Sequence, residues 1–366
     1  MTAEILPDDN SEEAGAVDEP YRSPLWMITQ QPLLNSLVTS LHESKAKILA
    51  NPTGPHELVF SRANIAEVRA SFSSMIRQGE EKLHKLCELL CGTFLSEVNL
   101  QSLVIGEVVS NHERFTLMQS ITPEDLYSIT DLDLGNRQLQ KLKIFDGTNW
   151  SGATLVANVV EYQATESNSY GIHKLVSRIK AEEEIWNKVV DELFNLDSLV
   201  RKDKKFWHLS RFVKDVFGIK IVTGSIPEVQ RFHQALETLR FDPKLRERFH
   251  IPLESSTELL QFVETKNYLG AADRKKSGWE ALKSVVQWWD KVFEIQVQPL
   301  GKFMREREFL TRESHQGFKS RREEVRNKVA EELPLFRFFR DLLRWLFLDA
   351  GEPPPKFSGV NVLLKD

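Results

Sequence analysis

Apolar residues between Leu33 and Leu103 recur at three- and four-residue intervals, as in Leu83, Leu86, Leu90 and Phe94, which is the stripe of a helix packing on a neighbour. That spacing predicts a mainly helical N-terminal region. From Ser120 to Ser169 the chain is rich in Asp, Asn, Thr, Ser and Gly, holds short apolar runs such as Ala153 to Val160, and reads as loops and short strands. After Tyr170 the pattern changes to alternating helix and strand. Ile185, Val189, Val190 and Leu193 fall on one face of a helix expected over Ala181 to Leu196. "FGIKIV" at 217 to 222 has the β-branched content of a strand, and Pro227 to Leu239 opens with Pro and returns to helical spacing. "ALKSVVQW" and "VFEIQVQ", separated by Trp289, Asp290 and Lys291, look like a β-hairpin. In the second run Glu294, Gln296 and Gln298 alternate with Phe293, Ile295 and Val297, which predicts one core face and one wet face. Arg305 to Glu332 is a charged helical stretch, Leu333 to Leu348 is a more apolar helix, and the prolines at 353 to 355 end it.

Composition narrows the class. The 366 residues carry 48 Lys plus Arg against 53 Asp plus Glu, and a net charge of −5 argues against a generic nucleic-acid binder. The absence of an apolar run near about 18 residues excludes a membrane-spanning helix, and a 41% hydrophobic content excludes a disordered chain. Residues 1 to 20 hold seven acids and no base, so an acidic disordered tail is expected over 1–22. Between Thr265 and Glu331, by contrast, 15 bases face 10 acids, so positive charge is concentrated there. Only Cys87 and Cys91 occur, and the N-terminus lacks the basic start and apolar core of a secretory signal, which points to a reducing cytoplasm. With His84 one turn earlier these cysteines could bind a metal, but a fourth ligand is not evident and packing as small buried residues is the expectation. Arg337, Arg340 and Arg344 share a face of the last helix, whose aromatic and leucine surface is expected to pack on its own domain, a membrane surface or partner being the alternative.

Three groupings could carry chemistry. Asp215 precedes the "GIKIV" strand and Glu294 lies within "FEIQVQ". Neighbouring strands lie about 4.8 Å apart, so two such carboxylates can converge on one Mg²⁺, although acids on a wet strand face are also common. In "SRIKAEEEIWNK", Arg178 and Lys180 alternate and Lys188 follows in the next helix; three converging cations could hold a triphosphate, or Glu184 and Lys188 could simply pair on a solvated helix. Lys266, Arg274, Lys275, Lys276 and Lys283 surround Gly278 and Trp279, which suits a base stacked on the ring with its phosphates held by cations; the alternative is an exposed lysine loop with Trp279 anchored in the core.

Taken in order, "SRIKAEEEIWNK", "DVFGIKIV", "KNYL", "KKSGWEALK", "FEIQVQ" and "ESHQGFK" resemble the synthetase domain of the RelA/SpoT-type alarmone synthetases, across 155 residues from Val176 to Ala330. That family carries an R-x-K stretch followed by a helix with Lys, then D-x-x-G-x-R, K-D-Y, N-G-Y-x-S-L-H, E-I-Q-x-R-T and H-x-x-Y-K. The resemblance implies a nucleotidyltransferase-like α+β fold, a mixed sheet of about five strands flanked by helices, with a helical N-terminal region before it and a C-terminal helix after it. The implied organisation is a tail over 1–22, a helical region of unknown role over 23–165, the synthetase domain over 166–332 and a C-terminal helix over 333–366. The implied reaction moves the β,γ-diphosphate of ATP to the 3′-hydroxyl of GDP or GTP, with Mg²⁺ as cofactor. Asp215 and Glu294 would hold the metal and do the catalysis. Arg178, Lys180 and Lys188 would grip ATP, while Lys266, Lys276, Trp279, Lys283, Gln296, His315 and Lys319 would serve the acceptor. Trp279 stands at the family's stacking tyrosine and Phe318 at the aromatic position of the last motif. Departures fall mainly on the acceptor side: Lys220 for Arg, Glu184 for Ser, Lys283 for His, Asn267 for Asp, and Gln298 with Pro299 for Arg-Thr. They leave open a tRNA 3′ end as acceptor, as in toxic small members of the family, or a non-catalytic nucleotide-binding relative. A homo-oligomer is compatible with this reading. None of the nine histidines is followed by Asp, so no hydrolase signature is present.

Overall fold

The computed structural model describes residues 31–111, 113–145, 147–179, 182–194, 216–269, 279–312, 327, 329–331, 333–347 and 353–365. In chain order, α1 (Pro32–Ala50) and β1 (His56–Ser61) precede the long α2 (Arg62–Phe94). Next come β2 (Val98–Val108), β3 (Arg114–Ser120), α3 (Pro123–Ser128), α4 (Asp131–Gln140), the two-residue strands β4 (Ile144–Phe145) and β5 (Trp150–Ser151), and β6 (Ala153–Ala164). Then follow β7 (Ile172–Ile179), α5 (Glu182–Leu193), β8 (Phe217–Thr223), α6 (Ile226–Glu237), α7 (Pro243–Arg248), α8 (Ser255–Glu258) and β9 (Gln261–Asn267). The hairpin of β10 (Leu282–Trp288) and β11 (Lys291–Pro299) leads into α9 (Leu300–Arg312), α10 (Pro334–Phe347) and β12 (Val360–Lys365), which pairs parallel with β1.

The main sheet runs β3-β2-β6-β7-β8-β11-β10-β9. Only the β8–β11 pair is parallel, which makes the sheet mixed. One face carries Phe217, Ile219, Ile221, Phe293, Ile295 and Val297, and α2 and α6 cover it. The side chain of Ser61 caps α2, whose Val68, Phe72, Met75, Leu83, Leu86 and Leu90 form the buried stripe. Gly79 sits in the middle of this helix, where glycine costs about 1 kcal/mol relative to alanine. The reason is packing: a Cβ there would lie 2.0 Å from the Phe217 ring, so only glycine lets α2 approach β8 this closely. α9 crosses the opposite face, with Phe303 against Val176 and Val222. α10 packs its apolar stripe on α5, and the free thiols of Cys87 and Cys91 are buried in the core, both as expected from their patterns.

Several expectations needed revision. The sheet has eight strands where about five were expected, because β2, β3 and β6 extend it from within the stretch read as helical region and loops. Their alternation is masked by inward polar residues, Ser102, Asn158 and Glu161, each held by a partner inside the fold. The boundary expected at 165–166 falls in the connection between the paired strands β6 and β7. The hairpin formed as read, with Trp289 at φ 56 in its turn, but its polar face is not wet: Glu294 and Gln298 are buried beneath α9. The expected tail over 1–22 and most of the charged stretch after Arg312 lie outside the described residues. Among the described residues, no helix is long and apolar enough to cross a membrane.

Candidate functional site

Strand register brings the motif residues together. Arg178 on β7, Gly218 on β8 and Glu294 on β11 lie directly opposite one another in one row. Two residues along, Val176, Lys220, Gln296, Lys283 and Lys266 form a second row across β7, β8, β11, β10 and β9. Because side chains alternate along a strand, both rows project from the same face, the one α9 crosses. Gly218 leaves the space between Arg178 and Glu294 without a side chain of its own.

The charges on this face are paired locally. Lys283 Nζ meets Glu294 Oε2 as an ion pair without the alignment of a hydrogen bond, and the Gln296 amide donates to Oε1 of the same carboxylate. Lys220 Nζ donates to Glu306 Oε1 of α9 at 2.6 Å, and Gln298 Nε2 approaches Glu306 Oε2 at 3.4 Å. Burial lowers the Lys220 pKa, opposed by Glu306 and assisted by the nearby Arg178 charge. Burial alone would raise Glu306, but the Lys220 ammonium and its hydrogen bond, with help from Gln298 and Arg178, hold it below the ordinary glutamate value. At the β6 side, Lys174 Nζ lies 2.6 Å from Glu161 Oε2 and Arg307 lies 3.6 Å from Oε1.

Of the expected site residues, Arg178, Glu294, Gln296, Lys283 and Lys266 therefore share this face. Lys266 sits at its exposed edge, 2.9 Å from Glu264, and Trp279 lies just before β10 with its ring centroid 5.4 Å from that of Tyr268. Asp215, Lys180, Lys276, His315 and Lys319 lie outside the described residues, as does the side chain of Lys188 on α5. The described residues do not by themselves fit Mg²⁺: of the two expected metal ligands they include Glu294 alone, and its two oxygens meet an ammonium and an amide, while Glu306 and Glu161 on the same face are paired with cations. Hard divalent cations take several oxygen ligands, so the ammonium must withdraw before an ion can sit there.

Glu306 was missed by sequence reasoning. Its signal was available: a helix beginning directly after the β11 strand folds back over that strand's polar face, and a residue two turns in faces the lysine of the neighbouring strand. A second polar cluster, on the sheet's other face, was also missed. Glu80 and His84 lie one turn apart on α2, and Asp131 opens α4. His84 Nε2 is 3.1 Å from Asp131 Oδ1, His84 Nδ1 is 2.9 Å from the Tyr162 hydroxyl, and the Asp131 amide donates to Glu80 Oε1. Burial, then the Asp131 charge, push Glu80 up to about 7. Burial alone would lower His84, but Asp131 and the other carboxylates around it outweigh that and raise it.

Comparison with solved structures finds similar chains, two of which are structures of a small alarmone synthetase. The structure of the small alarmone synthetase 1 from Bacillus subtilis bound to its product pppGpp matches at 15% identity and a TM-score of 0.23, covering 46% of this chain and 78% of that one. A second structure of the small alarmone synthetase 1 from Bacillus subtilis matches at 14% identity and a TM-score of 0.22, covering 46% of this chain and 80% of that one. No family model matches the chain, and no curated protein does. Both of these structures are of a small alarmone synthetase.

Proposed function

We propose that the chain is a transferase of the alarmone-synthetase type, moving the β,γ-diphosphate of ATP to the 3′-hydroxyl of GDP or GTP. The observation that carries this reading is the register row Arg178–Gly218–Glu294: three motifs far apart in sequence meet on three adjacent strands. Diphosphate transfer needs mainly alignment and positive charge around the developing oxyanions. Arg178 offers a planar fork suited to phosphate oxygens, and Lys220 adds a second cation one row away. Glu294 would accept the acceptor hydroxyl's proton, and with Asp215 it would hold Mg²⁺, which would supply charge neutralisation at the phosphates. Lys180 and Lys188 would complete the ATP grip; Lys266, Lys276, Trp279, Lys283, Gln296, His315 and Lys319 would hold the acceptor.

The ion pair of Lys283 with Glu294 favours one second reading, a nucleotide-binding relative without turnover, because the ammonium sits against the carboxylate that a metal would need. Purified protein with labelled ATP and Mg²⁺, given GDP, GTP or tRNA in separate reactions, separates the readings. The proposal expects label on GDP or GTP with release of AMP. Label on tRNA moves the acceptor. Nucleotide binding without AMP release on any acceptor establishes the second reading.

A further inference from the structure

We propose that Glu80, His84 and Asp131 form a binding site for one divalent first-row transition ion, on the sheet face opposite the candidate nucleotide site. One ligand atom from each residue lies within 4.8 Å of the other two, and all three residues are buried. Ligands about 2.1 Å from a shared ion lie at most about 4.2 Å apart, so the three side chains would draw in slightly around it. The i,i+4 spacing on α2 puts Glu80 and His84 on one helix face, and α4 presents Asp131 to it from its first turn.

Hydrogen bonding within the cluster explains most of these atoms but not all. Asp131 Oδ2 is buried, in a side chain only 5% exposed, and among the described residues nothing donates to it. A buried carboxylate oxygen without a donor or cation is costly, and here two carboxylates share one imidazole. An ion would give that oxygen the partner it lacks and take the place of the proton the cluster otherwise holds. The donor set is one imidazole nitrogen with carboxylate oxygens, which suits Zn²⁺ or Mn²⁺ better than Mg²⁺. Tyr162 is placed as the orienting partner: with the Nδ1 proton donated to its hydroxyl oxygen, His84 presents the Nε2 lone pair to the ion.

Access is provided from outside. A cleft of about 480 Å³ reaches the cluster at Glu80, with Thr130, the neighbour of Asp131, among its walls and Glu88, Tyr127, Arg77 and Arg248 around them. Three protein ligands leave at least one position for water entering from this cleft.

The test uses the full chain, stripped with a chelator and returned to metal-free buffer, then titrated with Zn²⁺ or Mn²⁺ by calorimetry alongside thermal melts. One ion per chain is expected, with a melting temperature that rises with ion concentration. Asp131→Asn and Glu80→Gln keep the side-chain shapes and are expected to weaken binding at least tenfold and to abolish the thermal gain. Should either variant fail to fold, electron spin echo of wild-type protein with Mn²⁺ is expected to show coupling to one imidazole nitrogen. Absence of stoichiometric uptake, wild-type affinity in both variants, or bound Mn²⁺ without a nitrogen ligand would each overturn the site.

Discussion

Glu161 and Tyr162 are consecutive on β6, yet they belong to two different worlds. Glu161 points to the α9 side, where buried and half-buried carboxylates meet cations: Lys174 and Arg307 on Glu161, Lys220 on Glu306, Lys283 on Glu294. Tyr162 points to the α2 side, where its hydroxyl meets His84, His84 meets Asp131, and the Asp131 amide donates to Glu80. Alternation along one strand is enough to separate them, since neighbouring residues face opposite sides of the sheet. The α9 face is compensated by its own side chains and holds cations close to where phosphates would lie. The α2 face buries Glu80 and Asp131 beside one histidine and leaves Asp131 Oδ2 without a donor among the described residues. Paired charge suits a site that recognises a large ionic ligand by exchanging partners, whereas a buried carboxylate oxygen without a donor suits a small cation.

The largest effect is expected at Glu294. Replacing it with Gln keeps the shape and removes the charge, so AMP release from ATP should fall by on the order of 10²–10³ if that carboxylate acts in the transition state. Lys283→Gln sharpens the same question. Under the proposed function it raises the acceptor KM by on the order of tenfold with kcat little changed, as loss of a ground-state contact does. A rise in kcat instead would identify the ammonium as an obstacle to the metal.

On the α2 face the readout is stability. His84→Ala leaves Asp131 without its imidazole and the Tyr162 hydroxyl without its partner, so a loss of about 3–5 kcal/mol is expected in urea unfolding. Tyr162→Phe removes one hydrogen bond and should cost about 1–3 kcal/mol. Comparable losses for the two variants would mean that the His84–Asp131 contact carries little.

The two faces also differ in how far the sequence reveals them. On the α9 face the strands are contiguous runs, "FGIKIV" and "VFEIQVQ", and period-two alternation assigns Lys220, Glu294 and Gln296 to one side without any knowledge of topology. What alternation could not supply was α9, which turns the supposedly wet side into a buried one; that depends on the chain reversing after Pro299. The α2 cluster joins residues 47 and 78 positions apart from His84, and Asp131 sits in a stretch whose Asp, Asn and Thr content reads as loop. Thr130 and Asp133 there are a helix cap, not a turn, and only the packing of α4 on β2 and β6 shows it. The sheet's extra strands escaped notice for a related reason: Asn158 and Glu161 break the apolar pattern of β6 because their partners come from other elements.

The smallest expected effect tests whether the pairing on the α9 face stabilises the fold as well as the site. Glu306 is held below its ordinary value, so in the folded protein it keeps its charge to lower pH than in the unfolded chain. A depressed carboxyl contributes stability that is fully present above the ordinary glutamate pKa and is lost as pH falls through the depressed value. Glu306→Gln should therefore cost about 1–3 kcal/mol at pH 7, where Lys220 loses its charged partner in a largely covered position. The gap between variant and wild type should narrow as both are acidified from about pH 5 toward pH 3, because the wild type then gives up the same pair by protonation. Urea midpoints of the two proteins across that range measure it. A constant gap would show that Glu306 holds α9 in place through packing and through Gln298, with its charge directed to the nucleotide site alone.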